Sequence, residues 1–243
     1  VGGDKIYSHT QNFQERNPFL GCRAIRFSLE NEDLFRVQLR AILRASHHGT
    51  VKLMFPMITT LEELKRARSL TETIMDELRA KEIPFDENIQ IGVMIEVPSA
   101  AINADLLAKY SDFFSIGTND LVQYILAVDR ISEKIAYLYN PLNIAVLRFL
   151  KRLVEVSGEN GVPISICGEI AGEPRYIMTL IGLGFRHFSM SPTYMNQVKN
   201  LIRSITVSEC NALVVEILQM DDTRLIEERV FREFELKNPR SII

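Results

Sequence analysis

The stretch IQIGVMIEVPSAAINADLLAKYSDFFSIGTNDL, residues 89–121, decides the fold. Two nearly continuous apolar runs, IQIGVMIE and DFFSIG, flank a helix-like segment that begins with proline. Strands whose apolar residues run on without alternating are buried on both faces, as parallel sheets covered by helices require. The same pattern recurs outward in VKLMFPM (51–57), VPISIC (162–167) and HFSM (187–190), which makes five expected strands. Between them lie amphipathic helices: EDLFRVQLRAILRAS, with a stripe at Leu34, Val37, Leu39, Ile42 and Leu43 and a stop at Gly49, then TTLEELKRARSLTETIMDEL, with Thr60 as its cap. PSAAINADLLAKY, a helix from about Asn119, PLNIAVLRFLKRLVEVSGENG and PRYIMTLIGLG continue the alternation, and the chain from Pro192 reads as mostly helical.

Five strands with crossover helices suit an open doubly wound sheet or part of a barrel. The strand ends favour the barrel. Each finishes in polar or unusual residues (FPM, IEVP, GTND, CGE, SMS), and functional groups gathered at the carboxyl ends of successive strands are the habit of (β/α)8 enzymes. The expectation is an α/β fold, a (β/α)8 TIM barrel incomplete in this chain, occupying residues 1–243 as one domain. The opening VGGDK has no initiator Met, so the chain reads as a piece of a longer protein whose first strands precede Val1.

Composition narrows the function classes. Of 243 residues, 47% are hydrophobic, enough for one large core. The 28 basic and 31 acidic residues leave a net charge of −3, which argues against a nucleic-acid surface. No apolar run approaches the roughly 18 residues that cross a bilayer. The three cysteines, Cys22, Cys167 and Cys210, form no CxxC pair, and an odd number of thiols without a secretion signal fits the cytoplasm.

Glu96 ends one strand of the deciding stretch, and Asp120 lies just beyond the next. Two carboxylates facing one cavity can form an acid/base pair or hold Mg²⁺, which is commonly bound by one or two carboxylates plus substrate oxygens. The plainer reading is that each caps or charges a following helix. Asn119 either donates to a substrate oxygen at a helix N-terminus or closes an Asx turn. Arg130 either pairs with Asp129 at the surface or grips phosphate or carboxylate with its fork. Cys167, in SICGEIAG, is a small buried hydrophobe or a protonated thiol able to give a proton to carbon. Arg23 and Arg26 stand at helical spacing, and spacing does not decide whether either meets an anion. His9, His47, His48 and His187 are poor candidates for a phosphate acceptor.

With these residues in view, GGDK, NPFLGCRAIR, GVMIEVPSA, DFFSIGTNDLVQYILAVDR, YLYNPL, CGEIAG and FSMSP run in the order found in the enzyme I family of the phosphoenolpyruvate-dependent sugar phosphotransferase system. The chain resembles that family's C-terminal, phosphoenolpyruvate-binding barrel over nearly its whole length. The GTND and CGE elements also occur in pyruvate phosphate dikinase and phosphoenolpyruvate synthase, but LAVDR followed by YLYNP points to enzyme I. The resemblance implies that Glu96 and Asp120 hold Mg²⁺. It implies that Asn119, Asp120 and Arg130, with Arg23 and Lys5, bind substrate, and that Cys167 protonates the enolate carbon to give pyruvate. It also implies a homodimer, a phosphoryl acceptor histidine on a separate N-terminal domain, and a phosphocarrier protein beyond it. Two substrate arginines usual in the family fall before this chain, and Cys22 stands where the family usually has an aromatic residue. Two other readings compete: a non-catalytic dimerisation or ligand-sensing module, and a Mg²⁺-dependent lyase acting on a pyruvate enolate.

Overall fold

A computed structural model describes residues 17–237. Lys5, His9 and the GGDK element therefore lie outside the described residues. Two helices, α1 (Ile25–Glu30) and α2 (Glu32–Ser46), lead into β1 (Lys52–Phe55). Then follow α3 (Leu61–Ala80), β2 (Gln90–Ile95), α4 (Pro98–Ile102), α5 (Ala104–Ala108), β3 (Phe114–Gly117), α6 (Thr118–Leu126), α7 (Ile144–Asn160) and β4 (Ile164–Cys167). The chain continues as α8 (Glu169–Gly172), α9 (Pro174–Leu183), α10 (Pro192–Ile202), α11 (Val207–Ile217) and α12 (Thr223–Lys237).

The four strands form one sheet in the order β1-β2-β3-β4, every pair parallel. The register sets Ile95 beside Ile116 and Gly117 beside Cys167, so the ends of β2, β3 and β4 are level. Strand order follows chain order without reversal, so the sheet has no switch point of the doubly wound kind. Right-handed crossovers in such a sheet place the connecting helices on one face. Accordingly α2 packs on α3, α3 on α5, α5 on α7 and α7 on α9, each meeting the next in order.

The fifth expected strand is reduced to one bridge, Ile166 with Phe188. Ile166 donates to the His187 carbonyl at 2.9 Å and Ser189 donates to the Ile166 carbonyl at 2.8 Å. The segment lies between Gly184, which caps α9 at φ 114°, and Pro192, which opens α10. Burial also departs from the continuous-strand reading. β3 is buried at every position, but β1 and β4 alternate buried and part-exposed residues because successive side chains point to opposite faces and one face of each strand is less covered.

Local chemistry explains the element ends. Thr60 accepts from the Glu63 amide while the Glu63 carboxylate accepts from the Thr60 amide, a capping box that starts α3. The single helix expected from Pro98 breaks at Asn103, whose side chain donates to the Ser99 carbonyl and ends α4. α2 stops at His47, before Gly49. The core runs from Leu39, Leu43 and Phe55 through Ile95 and Phe114 to Phe185, with Phe35 edge-on to Phe55 at 6.2 Å. α9 is apolar nearly all round and is correspondingly buried, packed by α7, α10, α11 and α12. Among the described residues no helix is long and apolar enough to cross a membrane.

The tightest helix contact sets a test of this packing. A Cβ on Gly182 would lie 2.1 Å from the Cys210 carbonyl oxygen, which is backbone and cannot swing aside. Gly182→Ala should force α9 from α11 and cost about 1–3 kcal/mol. Urea unfolding checks it through a lowered midpoint at unchanged slope, and an unshifted midpoint would refute the contact.

Candidate functional site

Glu96 is the first residue past β2, and its carboxylate crosses the end of the sheet instead of capping a helix. Val97 stands at the N-cap of α4, with no side-chain cap. Glu96 Oε1 accepts from the Met57 amide at 2.7 Å, with Met57 itself held at φ 56°. A Cβ on Gly117 would come within 2.6 Å of Glu96 Oε2, so the glycine leaves the carboxylate its space over β3. Glu96 is only 6% exposed. Burial pushes its carboxyl up to about 7; the Met57 amide and the Arg23 charge pull it down, and the Asp120 charge raises it further.

Asp120 sits in the first turn of α6, buried, where an anion is favoured by the helix N-terminus. Its Oδ2 accepts from Arg23 Nη2 at 2.8 Å, and its Oδ1 is buried without a partner. Arg23 reaches this point from the loop before α1, with Ala24 behind it at φ 52°. Arg23 Nη1 donates to the Tyr124 hydroxyl at 3.3 Å, that hydroxyl donates to the Phe19 carbonyl, and the guanidinium lies 5.6 Å from the Phe19 ring centre. The Nε of Arg23 is buried and unpaired. Arg26 turns the other way and donates to the Leu20 and Gly21 carbonyls.

Asn119 and Arg130 meet across Glu169. Asn119 Oδ1 accepts from the Glu169 amide at 3.0 Å, and Arg130 Nη1 donates to Glu169 Oε1 at 3.1 Å. The expected surface pair of Arg130 with Asp129 does not form. Asp129 instead accepts from the Ile131 amide, and the Arg130 amide donates to buried Gln123. Arg130 Nε is again buried and unpaired. Cys167 ends β4 between these groups and the sheet. Its thiol donates to the Ile116 carbonyl at 3.2 Å, and its own carbonyl accepts from Thr118 Oγ1 at 2.6 Å. Burial raises the Cys167 thiol pKa, against a pull downward from Ser115 and with a smaller push upward from Glu96. Gly168, at φ 91°, lets the chain turn here; a Cβ would lie 2.2 Å from Thr118 Oγ1.

The structure thus gathers Arg23, Glu96, Asn119, Asp120, Arg130 and Cys167 at one end of the sheet. His47 and His48 follow α2 and precede β1, at the opposite end. Residues the sequence reading passed over complete the site: Tyr124, Ser115 and the Met57 backbone. Tyr124 stands one helical turn after Asp120, a spacing that could have flagged it. Three polar atoms of these residues, Asp120 Oδ1, Arg23 Nε and Arg130 Nε, are buried without partners, which is uncommon in a folded chain.

A divalent cation fits this donor set. Glu96 is raised by desolvation and by the Asp120 charge, both of which a dication would relieve, and Asp120 Oδ1 is an open donor. Among the described residues no three His, Cys, Asp or Glu side chains converge as ligands. Two carboxylates with room for water and substrate oxygens suit Mg²⁺ more than a metal that needs a full protein cage.

Glu96 gives a pH test in the absence of metal. Its carboxyl titrates near 7 in the folded chain against 4.5 as the ordinary value. Between these values the folded state holds a proton that the unfolded chain has lost, so stability falls as pH rises from about 4.5 to 7 and is level above. The loss is on the order of 3 kcal/mol. Glu96→Gln should abolish that slope and unfold at higher urea than the parent at pH 8 in EDTA; equal slopes in the two proteins would refute it.

The family model for PEP-utilising enzymes, PEP-binding domain, matches residues 1–207. The phosphoenolpyruvate-protein phosphotransferase of Haemophilus influenzae is 45% identical over 238 residues, covering 98% of this chain and 41% of that protein. Those of Priestia megaterium and Listeria monocytogenes are 43% and 44% identical, covering 97% and 95% of this chain and 41% and 40% of theirs. The chain spans about two fifths of the length of these relatives. Among solved structures, a citrate lyase from Burkholderia xenovorans superposes with a TM-score of 0.50 at 15% identity, over 86% of this chain and 70% of that one. That likeness concerns fold alone. The match over residues 1–207 and the close relatives carry the assignment: this chain belongs to the PEP-utilising enzymes, as their PEP-binding domain.

Proposed function

We propose that this chain is the phosphoenolpyruvate-binding part of a cytoplasmic phosphoenolpyruvate–protein phosphotransferase, a single domain over residues 1–243 built as part of a (β/α)8 barrel. The unreversed strand order and one-sided helices support the barrel. One observation supports the activity most: Asp120 Oδ1, Arg23 Nε and Arg130 Nε are buried and unpaired, around the residues that match the family's substrate motifs. In this reading Lys5, Arg23, Asn119, Asp120 and Arg130 bind substrate, and Glu96 and Asp120 hold Mg²⁺. The partners are an N-terminal histidine domain, a phosphocarrier protein reached through it, and a second copy of the chain.

The chemistry follows from charge. Phosphoenolpyruvate carries a phosphate and a carboxylate, and the Arg23 and Arg130 guanidinium groups each have an unpaired Nε–H and a charge that suit an anion. Transfer breaks the bond between phosphorus and the enol oxygen, forms one from phosphorus to histidine nitrogen, and leaves an enolate. Bound Mg²⁺ would supply electrostatic stabilisation of the phosphate and of that developing charge. Arg23 and Arg130 bring positive charge to the same oxygens. Cys167 then gives its proton to carbon: the S–H bond breaks, the enolate π pair forms C–H, and the oxygen pair restores the carbonyl of pyruvate. A thiol kept protonated by burial suits an acid and not a nucleophile.

Calorimetric titration of phosphoenolpyruvate should show binding that needs Mg²⁺ and is lost in Glu96→Ala. Exchange of pyruvate methyl protons with D₂O, followed by NMR, reads the carbon acid directly. Cys167→Ala should keep binding and slow exchange about 100-fold or more. Binding indifferent to both Mg²⁺ and Glu96, or exchange undiminished without Cys167, would end this reading.

A further inference from the structure

We propose that Ser115 is the positioning residue for the Cys167 thiol, its hydroxyl fixing the sulfur against β3 and taking up the charge left there when the proton departs. This rests on Cys167 acting as the carbon acid. Ser115 and Gly117 lie two apart on β3 and share a face, and Gly117 is the register partner of Cys167. The Ser115 hydroxyl, 7% exposed, donates to Cys167 Sγ at 3.7 Å. A buried hydroxyl in a strand is costly without a partner, and the usual solution is a backbone carbonyl. Ser165, the register partner of Ser115, takes that solution and donates to the Phe114 carbonyl at 3.2 Å. Ser115 instead spends its proton on the sulfur.

The sulfur is therefore held from two sides: it accepts from Ser115 and donates to the Ile116 carbonyl. With the thiol neutral, the bond from Ser115 is long and weak. Once the S–H bond has broken and its electron pair stays on sulfur, the Ile116 carbonyl repels the thiolate and the Ser115 hydroxyl becomes a charge-assisted donor. Burial, the larger influence on the thiol, opposes the thiolate, and the Ser115 hydroxyl is the counterweight supplied by β3; the smaller opposing influence of the Glu96 charge applies where no metal is bound to it. Solvent then reprotonates the sulfur for the next turnover.

The test follows iodoacetamide alkylation of Cys167 against pH in EDTA, read by mass spectrometry of its peptide, which separates it from Cys22 and Cys210. Ser115→Ala should move the alkylation midpoint up by about one pH unit, leaving about tenfold less thiolate below it. Ser165→Ala, which removes a hydroxyl from the same sheet without touching the sulfur, should leave the midpoint in place. Pyruvate methyl exchange with Mg²⁺ should show the same displacement in its pH profile for Ser115→Ala alone. A Ser115→Ala profile lying on the parent's, or a Ser165→Ala profile displaced as far, overturns the proposal while loss of exchange in Cys167→Ala leaves the acid standing. Exchange unaffected in Cys167→Ala overturns the acid and this proposal together.

Discussion

The site is built around one buried carboxylate. Glu96 lies across the end of the sheet with its charge out of water, tied on one side to the Met57 amide and accommodated on the other by a residue with no side chain, Gly117. Nothing in the core gains from a carboxylate there; a hydrophobic residue of similar volume would stabilise the fold better. Its retention constrains its neighbours. Gly117 must be glycine, and Met57 must accept a left-handed backbone that a side chain of its size disfavours. Ala24, beside Arg23, is strained in the same way. Two departures from easy backbone geometry therefore border one site, and each sets an atom that contacts a carboxylate: the Met57 amide on Glu96, the Arg23 guanidinium on Asp120.

Around Glu96 the charges are arranged as incomplete pairs. Arg23 answers Asp120, and Arg130 answers Glu169, so no formal charge is left without an opposite nearby. The two pairs differ in character. Asp120 and Arg23 are both largely buried, whereas Glu169 is mostly exposed and holds Arg130 loosely from the solvent side. An exposed carboxylate is easily displaced by an incoming anion, since water takes over its solvation. A buried pair is not displaced so cheaply, and Arg23 keeps its hold on Asp120 while its Nε stays unpaired. The site thus combines one fixed cation with one exchangeable cation.

Much of this was legible in the sequence, because strand ends and apolar runs are local. The runs KLMF, QIGVMI, FSIG and ISIC are the four strands, and Glu96, Asp120 and Cys167 do end or follow them. HFSM forms only a bridge to Ile166, because a ladder is set by pairing with a distant strand and not by the local apolar run. Asn103 broke a helix that pattern alone would continue, by bonding its own preceding turn. The partners of the arginines were illegible for a different reason. Arg23 meets Asp120 across 97 residues and Arg130 meets Glu169 across 39, and nothing in spacing along the chain encodes either. The resemblance to a family named the arginines but not the groups that hold them.

Cys167 shows how a common residue is made particular by its place. Cys210 is fully buried within the helical layer and is a small hydrophobe, with a thiol pushed up to about 11 chiefly by burial. Cys167 is also raised by burial, yet it is half-buried, set at a strand end, and has both a donor and an acceptor on its sulfur. In the proposed role of carbon acid, Cys167 needs a proton at rest and a tolerable conjugate base afterwards. Burial meets the first need, and it would defeat the second if nothing opposed it. A single neutral hydroxyl can serve both, because its attraction to sulfur grows only when the charge appears. A lysine or arginine in its place would stabilise the thiolate before reaction and so empty the acid of its proton.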